Sequence, residues 1–258
     1  MIKYLYTILY GLKCLINYCN AKREYKRDVK TYKGLTEMDE KFIYQKSEEL
    51  PMIKDKYEEA GTVDAHYFLQ DLYMAKEVLS DNPKEHYDIG SRVDGFISHL
   101  LAAGKGVTMI DIRPFSYKVE GLKFVQGNAI NLESVESNSI GSLSSLHAVE
   151  HFGLGRYGDP IDPAAWKKAL MAMQRVLKVG GKLYISVPIG TRDVLKYNAH
   201  RIFEIHTIPG FLEQCELVKV AYIENYRIYQ IKIEEFPAFT LNTQYACGMY
   251  IFRKKDKV

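Results

Sequence analysis

The stretch EHYDIGSRVDGFISHLLAAG, residues 85–104, decides how the rest of this chain is interpreted. Residues 87–89 have the pattern of the end of a buried strand, Gly90 and Ser91 that of a tight turn, and residues 96–103 that of an amphipathic helix. A strand that enters a helix through a glycine turn leaves backbone N–H groups free at the start of the helix. The stretch therefore predicts a site for an anionic or zwitterionic ligand, although such turns occur throughout α/β proteins.

Length and composition limit the class of protein. The 258 residues leave room for one large α/β domain and an extension. A hydrophobic content of 47% with 26% charged residues indicates a globular chain rather than a disordered one. The net charge of +3, with no basic stripe carrying interleaved aromatics, argues against a nucleic-acid partner. The four cysteines form no C-x-x-C pair, which indicates reduced thiols and a cytoplasmic location.

The first 20 residues predict a helix with one apolar side. Lys3 and Lys13 interrupt the run, so about 18 consecutive apolar residues, enough to span a membrane, are missing. No small-residue cleavage site follows, which argues against a signal peptide. The residues on the apolar side are Leu5, Ile8, Leu9, Leu12, Leu15, Ile16 and Cys19.

Five basic residues between positions 22 and 30 follow this helix. An apolar side, boundary tyrosines and a basic flank are typical of a helix that lies on a membrane, here the inner face, so residues 1–30 predict a peripheral membrane contact. Docking of the helix on the globular domain or on a second subunit is the alternative, and the oligomeric state stays open. Residues 31–60 predict a charged helical linker, which completes an N-terminal segment over residues 1–60.

The rest of the chain, residues 61–258, alternates strand and helix patterns. Such alternation over more than 150 residues predicts one α/β domain with a doubly wound, Rossmann-like, mainly parallel sheet. Residues 63–79 predict a helix, Asp94 and Gly104 are the expected caps of the helix at 96–103, and Asp162-Pro163 is the expected start of a helix that ends at Gly180-Gly181. The remaining predicted strands are 106–112, 122–125, 140–146, 182–187, 217–223 and 245–253, with a broken helix at 203–214.

From about residue 63 to residue 255 this order of signals resembles the class I S-adenosylmethionine-dependent methyltransferases. The most distinctive match is L-K-x-G-G-x-L-x-x-S-V-P, residues 177–188. The pairing of D-I-G-S-R-x-D-G with H-A-V-E-H further resembles the DUF268 branch of that superfamily. The resemblance implies a seven-stranded sheet with an antiparallel last strand and S-adenosyl-L-methionine as the cofactor.

The resemblance also assigns the cofactor contacts. An acid and a glycine turn lie under the methionine part, an acid after the second strand holds the ribose hydroxyls, and the residue after the third strand contacts the adenine. Asp111 follows Asp88 by 23 residues, a spacing that fits one β–α–β unit. The implied cofactor-binding residues are Asp88, Gly90, Ser91, Arg92, Asp111, Ile112, Asn128, Ala129 and His147, with no metal.

The glycine turn departs from the family pattern acid-x-Gly-x-Gly-x-Gly. Arg92 and Asp94 occupy the positions of the later glycines. The Arg92 side chain either obstructs the methionine end of the site, which would give a non-catalytic relative, or binds the methionine carboxylate bidentately. Binding is favoured because the acid, the ribose Asp111 and the later strand signals all remain.

The string His147-Ala-Val-Glu150-His151 has a second interpretation, since H-x-x-E-H supplies zinc ligands in one class of peptidases. That chemistry needs both histidines on one helix face, and the strand-like run before the string argues against it. In the methyltransferase interpretation the candidate catalytic residues are Glu150, His151 and His200. The Glu–His pair could equally brace a loop, and His200 with Arg201 could bind an anionic or sugar acceptor or pair with local carboxylates.

The resulting hypothesis is methyl transfer to oxygen of a saccharide or small-molecule acceptor. The resemblance connects the family with surface-polysaccharide synthesis. The alternative is a non-catalytic protein of the same fold that binds a partner or a glycan intermediate at the membrane.

Overall fold

The computed structural model describes residues 2–35, 42–53, 55–57, 60–61 and 63–256, with side chains from residue 9 onward. The chain divides into two compact units, Met1–Val63 and Asp64–Val258. The predicted linker at 31–60 therefore lies partly outside the described residues, as do the side chains of Leu5 and Ile8.

The first unit is dominated by one long helix, α1 (Ile2–Leu35), followed by two short 3-10 turns at Lys46–Glu48 and Asp55–Tyr57. Leu12 and Ile16 are more than half exposed on α1. Over its full length the helix has almost no net amphipathic bias. Its apolar residues are concentrated in the first half and its charges in the second. Within the described part of the chain, every helix is too short or too polar to cross a bilayer.

The second unit alternates strands and helices. Its helices are α2 (Ala65–Asp81), α3 (Ser98–Ala102), α4 (Ala165–Val176) and α5 (Thr207–Phe211). Its strands are β1 (Glu85–Ile89), β2 (Gly106–Asp111), β3 (Leu122–Gln126), β4 (Ile140–Leu146), β5 (Leu177–Gly190), β6 (Val194–Lys196), β7 (His200–Glu204), β8 (Cys215–Glu224), β9 (Arg227–Ile231) and β10 (Ala246–Lys254).

The strands form one sheet in the order β3-β2-β1-β4-β5-β10-β8-β9, with the β6–β7 hairpin attached to the end of β5. The pairs from β3 to β5 are parallel, whereas β10 is antiparallel to both β5 and β8. The predicted doubly wound sheet with an antiparallel last strand is confirmed, and each of the seven predicted strands is present. The carboxyl ends of β1, β2, β3 and β4 therefore meet at one edge, where ligands of open α/β sheets bind.

Local signals explain the helix ends. Asp64 caps α2, because its carboxylate accepts the N–H groups of His66 at 3.1 Å and Tyr67 at 3.4 Å. At the other end of the deciding stretch, Gly104 has φ +75°, its N–H donates to Leu101 and the next N–H donates to Leu100. This pair of bonds is a Schellman motif, and it confirms Gly104 as the residue that ends α3.

Two predicted helix starts are wrong. Asp94 lies inside a π-type turn, Val93–Ile97, and caps nothing. Asp162 precedes α4 by three residues and its carboxylate accepts the N–H of Ala164 at 2.9 Å. The N–H of Asp162 donates to the carbonyl of Gly153 at 3.0 Å, and this loop contact holds it away from the helix.

Two further boundaries differ from prediction. The broken helix expected at 203–214 is instead the end of β7 followed by α5, because β7 extends the sheet by pairing with the end of β5. The helix expected to end at Gly180-Gly181 ends at Val176, and β5 already begins at Leu177.

Candidate functional site

A cavity of about 380 Å³ opens at the carboxyl ends of the first four strands of the second unit. Of the residues proposed from the sequence, those that line it are Gly90, Arg92, Asp111, Ile112, Asn128, Ala129, His147 and His151. The sheet topology brings them together, since each lies at or after the end of a strand. Four other proposed residues, Asp88, Ser91, Glu150 and His200, lie behind or beside the lining.

Gly90 forms the floor of the cavity at the end of β1. Its φ is +71°, and its N–H donates to the carbonyl of Ile110 at 3.0 Å. A Cβ at this position would lie 3.0 Å from the Cβ of Ala148. The turn therefore needs glycine both for its backbone conformation and for the close approach of the loop after β4.

Asp88 supports this turn from inside the sheet and is fully buried. Its carboxylate accepts the backbone N–H of Ser91 at 3.0 Å, the Ser91 hydroxyl at 2.6 Å and the Ser144 hydroxyl. Burial raises the pKa of Asp88 to about 6, although these hydrogen bonds oppose the shift. Asp88 and Ser91 thus hold the shape of the turn, with Gly90 as the residue that faces the cavity.

The two residues that replace family glycines pair with each other. Arg92 has extended backbone, φ −74° and ψ 135°, so the position needs no glycine. Its guanidinium binds both carboxylate oxygens of Asp94, at 3.1 and 2.8 Å, and lies over the ring of Tyr67. The glycine that this turn requires is Gly95, where a Cβ would lie 2.0 Å from a carboxylate oxygen of Asp71.

Asp111, at the end of β2, faces the cavity and is engaged by Arg113. The Arg113 side chain donates to both carboxylate oxygens, at 3.0 and 2.6 Å, and its backbone N–H donates at 2.8 Å. The pair is the largest cause of the raised pKa of Arg113. A carboxylate offers about four lone-pair sites, so these bonds leave Asp111 limited room for a further donor.

Asn128 and Ala129 follow β3 on the same edge of the sheet. The side-chain oxygen of Asn128 accepts the N–H of Ile130 at 2.9 Å, which fixes the orientation of the amide. Ala129 is buried against the core. Together with Ile112 these residues give the far end of the cavity an apolar wall with one polar edge.

His147 follows β4 in a strained conformation. Its φ is +49°, which is uncommon for a residue with a side chain, and its N–H is held by the carbonyl and hydroxyl of Ser186 at 3.0 and 3.1 Å. Its Nδ1–H donates to Oε1 of the buried Glu150 at 2.8 Å. Burial disfavours the charged ring, but the neighbouring Cys247 sulfur and the Glu150 carboxylate raise the pKa of His147 well above its ordinary value.

His151 lies one position beyond Glu150, in the 3-10 turn Val149–His151. Its Nδ1 is 2.7 Å from the carbonyl of Ala199, which can only accept, so Nδ1 carries the proton. In the neutral ring Nε2 therefore holds a lone pair, and it lies 3.7 Å from Oε1 of Glu150. Burial lowers the pKa of His151 although Glu150 opposes the shift, so a neutral ring is favoured near pH 7.

The H-x-x-E-H string thus runs from a strand end into a 3-10 turn, and both histidines approach the same carboxylate. His200 begins β7 and is partly buried, with its ring centroid 6.4 Å from that of His151. Burial is the largest cause that lowers the pKa of His200.

Four lining residues with polar or charged side chains were not proposed from the sequence: Tyr67, Arg113, Tyr157 and Asp159. Arg113 could have been predicted from the sequence, because it lies two residues after Asp111, the predicted ribose acid. Tyr157 lies in a glycine-rich loop, where its ring is flanked by the guanidiniums of Arg113 and Arg156 at 4.7 and 5.1 Å from its centroid. Tyr67 comes from α2, which precedes the first strand, so no strand-end pattern points to it.

Comparison with known families supports the predicted branch. The family model described as "Caenorhabditis protein of unknown function, DUF268" matches residues 121–244. This segment contains Asn128, the H-A-V-E-H string and His200. No curated protein matches the chain in sequence.

Solved structures match the second unit in fold. The 1,6-didemethyltoxoflavin-N1-methyltransferase of Burkholderia thailandensis, solved with S-adenosylhomocysteine, matches at TM-score 0.53 and 15% identity, covering 75% of this chain and 80% of its own. A putative sarcosine dimethylglycine methyltransferase from Galdieria sulphuraria matches at TM-score 0.53 and 15% identity, covering 73% and 85%.

The [4+2]-cyclase SpnF also matches, at TM-score 0.52 and 12% identity, covering 73% of this chain and 82% of its own. A cyclase among these structures means that the fold does not by itself specify the reaction. The chain therefore matches the DUF268 model over residues 121–244, and it has the fold of class I S-adenosylmethionine-dependent methyltransferases.

Proposed function

We propose that the second unit binds S-adenosylmethionine in the cavity and transfers its methyl group to an oxygen of a small acceptor. The observation that supports this proposal is the cavity itself, whose lining includes Gly90, Asp111 and Asn128 at the carboxyl edge of the sheet. Its volume of about 380 Å³ falls in the range of small-molecule sites. The structures of relatives with bound S-adenosylhomocysteine support the same ligand class.

The residues present fit this cofactor. Gly90 leaves the cradle open where a Cβ would fill it, and the Asp111 carboxylate faces the space where ribose hydroxyls would need an acceptor. Asn128 offers a polar edge for the adenine, between the apolar side chains of Ile112 and Ala129. The Arg92 guanidinium at the cavity wall is available to the methionine carboxylate if it leaves Asp94, a surface pair worth little in free energy.

The bound cofactor would supply an electrophilic methyl group, so the chain has to align the acceptor and take up its proton. His151 fits the role of general base. Its Nε2 lone pair is fixed by the Nδ1–H bond to Ala199, and its ring lines the cavity. When Nε2 takes the proton of an acceptor hydroxyl, the nearby Glu150 carboxylate stabilises the resulting cation.

Glu150 itself fits an orienting role better than that of the base. It is buried, and its Oε1 already accepts the proton of His147 Nδ1. The His147 ring therefore holds the Glu150 carboxylate in place, and that carboxylate stabilises the protonated ring of His151. This order gives different roles to Glu150 and His151, which the sequence proposes together as catalytic residues.

We further propose a saccharide as the acceptor and surface-polysaccharide synthesis as the setting, with residues 1–30 as a peripheral anchor at the inner face of the membrane. Family resemblance supports the acceptor class. The exposed apolar residues of α1 and the basic residues that follow them support the anchor.

Calorimetric titration of the full chain with S-adenosylmethionine and S-adenosylhomocysteine tests the core of the proposal. We expect saturable binding of both, and at least about tenfold weaker binding by Asp111→Asn. Asp193→Asn is the control, because Asp193 also accepts hydrogen bonds but lies outside the lining. If the folded protein binds neither compound at high micromolar concentration, the enzyme proposal fails and the non-catalytic alternative is favoured.

One observation favours that alternative. Asp111 already accepts three hydrogen bonds from Arg113. In a binding protein that keeps the Arg113–Asp111 pair closed, Asp111 would not bind a ribose. In an enzyme that binds the cofactor, this pair must open. The same titration therefore separates the two functions.

A further inference from the structure

A cationic group lies beside His151 and has no acidic partner. Arg156 is exposed, and its Nη1 donates to the carbonyl of Ala199 at 2.9 Å and lies 3.4 Å from Nδ1 of His151. Among the residues that the structure describes, no carboxylate forms an ion pair with Arg156 or with Lys196, which lies on the adjoining β6–β7 hairpin. His200, at the start of β7, lies beside this group.

The two arginines that line the cavity are neutralised. Arg92 is paired with Asp94, and Arg113 is paired with Asp111. Arg156 differs from both, although its guanidinium, like that of Arg113, lies over the ring of Tyr157. Stacking and the Ala199 bond hold its position, so the guanidinium is oriented before any ligand arrives.

The two nearby acids form no ion pair with Arg156. Glu150 is buried against His147. Asp159 is bound within its own loop, where its two oxygens accept the N–H groups of Gly153 at 2.6 Å and Tyr157 at 3.3 Å. Burial lowers the pKa of His200 and the Glu150 carboxylate opposes that shift, whereas the positive charges of His147, Arg156 and Lys196 add to it.

We propose that Arg156 and His200 form a subsite for an anionic group of the acceptor, a carboxylate or a phosphate, while the reacting hydroxyl lies at Nε2 of His151. The inference rests on the proposed function and specifies its substrate class. Arg156 touches the ring of the base directly, so the anion and the hydroxyl belong to one small molecule, such as a sugar acid or a sugar phosphate. Arg156 and His200 do not line the cavity themselves. They lie beside His151, which lines it after β4, whereas the residues proposed for ribose and adenine follow β2 and β3.

The test uses the full chain saturated with S-adenosylhomocysteine, with inorganic phosphate, D-glucuronate and D-glucose as probes. We expect at least one anion to bind about tenfold or more tightly than glucose by calorimetry. Binding should raise the pKa of His200 in a ring-resonance titration, since an anion would offset the cations around it. Preference for phosphate would indicate a sugar phosphate, and preference for glucuronate would indicate a sugar acid.

Matched variants localise the effect. Arg156→Gln should weaken binding of the anion about tenfold or more, and Arg156→Lys should retain part of it. Arg227→Gln removes the same charge on β9, at the far edge of the sheet, and should leave the affinity unchanged. The proposal is overturned if neither anion binds better than glucose, or if Arg156→Gln and Arg227→Gln behave alike.

The outcome is separate from that of the proposed function. Absence of S-adenosylhomocysteine binding by the unmodified chain would reject the methyltransferase proposal itself. Normal binding of that compound without any preference for anions would reject the subsite alone.

Discussion

Arg113 covers the carboxylate of Asp111 with three hydrogen bonds, from its backbone N–H at 2.8 Å, from Nε at 3.0 Å and from Nη2 at 2.6 Å. The acid is nearly buried, with 10% of its side chain exposed, whereas the Arg113 side chain is 49% exposed. The fold therefore holds the Asp111 carboxylate in place, whereas the Arg113 side chain can be displaced from it by a ligand. Half-exposed ion pairs of this kind contribute about 1 kcal/mol or less, so displacement by a ligand would cost little.

Arg113→Gln should consequently strengthen the binding of S-adenosylhomocysteine by about two- to fivefold, because the competitor for Asp111 is lost. Calorimetry on the purified variant measures the change. Arg175→Gln is unsuitable as a control because that side chain holds several loop carbonyls. Arg227→Gln on β9 is the better one. Weaker binding by Arg113→Gln would mean that the arginine orients Asp111 for the ligand instead of competing with it.

Gly90→Ala tests the floor of the cavity. Alanine at a positive φ costs about 1–2 kcal/mol, and its Cβ would also press on Ala148 at 3.0 Å. We expect lower stability in urea and at least about tenfold weaker binding of S-adenosylhomocysteine.

Gly104→Ala provides the matched comparison for this substitution. Its φ of +75° resembles that of Gly90, but nothing lies within 4 Å of its added Cβ and it is remote from the cavity lining. It should lose stability while keeping ligand affinity. Equal ligand affinity in both variants would contradict the assignment of Gly90 to the site.

The strands of this sheet were predictable because their apolar runs follow strand periodicity and end at glycine or polar turns. The strands missed were β6, β7 and β9. Both β6 and β9 are short and largely exposed, so they have no buried face to leave a pattern. β7 does have two buried residues, Ile202 and Phe203, but its apolar content was interpreted as helical. Hydrophobic periodicity reports burial, and it fails where a strand is held by pairing alone.

In the candidate site too, some residues have a local sequence signal and others do not. Residues directly after strand ends, such as Gly90, Asp111 and Asn128, were predictable because parallel topology brings those ends together. Tyr67 and Tyr157 reach the cavity from a preceding helix and from a loop. Their placement depends on tertiary packing that has no local signature. The role of His151 likewise depends on its bond to Ala199, which lies 48 residues away in the chain.

Glu150→Gln should lower the pKa of His151 further, because the carboxylate charge is the leading influence that raises it against burial. The amide oxygen can still accept the His147 proton, so the loop should keep its shape. A titration of the ring resonances by NMR measures the shift and also reports whether Nδ1 carries the proton. Glu120→Gln, an exposed site before β3, is the control. An unchanged pKa of His151 in Glu150→Gln would show that the two residues are not coupled.

The buried His86 should make the free energy of unfolding sensitive to acid. Its ring is fully buried between the Ser142 and Ser144 hydroxyls, at 2.8 and 2.9 Å, and burial lowers its pKa to about 3. An unfolded histidine has a pKa of about 6.5, so between these values the unfolded chain binds one more proton than the folded chain. The stabilisation is complete above pH 6.5 and is lost as the pH falls toward 3, by about 1.4 kcal/mol per pH unit.

Between pH 6 and pH 4, His86→Gln should reduce the slope of the free energy of unfolding against pH by about 1.4 kcal/mol per pH unit. Urea titrations of both proteins at several pH values give the slopes. Asp88 contributes in the opposite direction, because its raised pKa of about 6 makes stability increase as it protonates. Asp88 is present in both proteins, so the difference in slope reports on His86 together with the Ser144 hydroxyl that the two residues share, and parallel curves would contradict the prediction.

The membrane anchor proposed for the first unit depends on the exposed apolar residues of α1. Leu12 and Ile16 are 52% and 59% exposed. Burying two such side chains in a bilayer interface is worth about 3–4 kcal/mol, so replacing both by glutamate should weaken flotation with phosphatidylserine vesicles at least about a hundredfold. Asn17→Glu with Asn20→Glu adds the same charge to the same helix on the predicted polar side, and should reduce binding far less. The anchor is rejected if the unmodified chain stays in solution, or if both double variants float equally well, because neither outcome needs an apolar side on this helix.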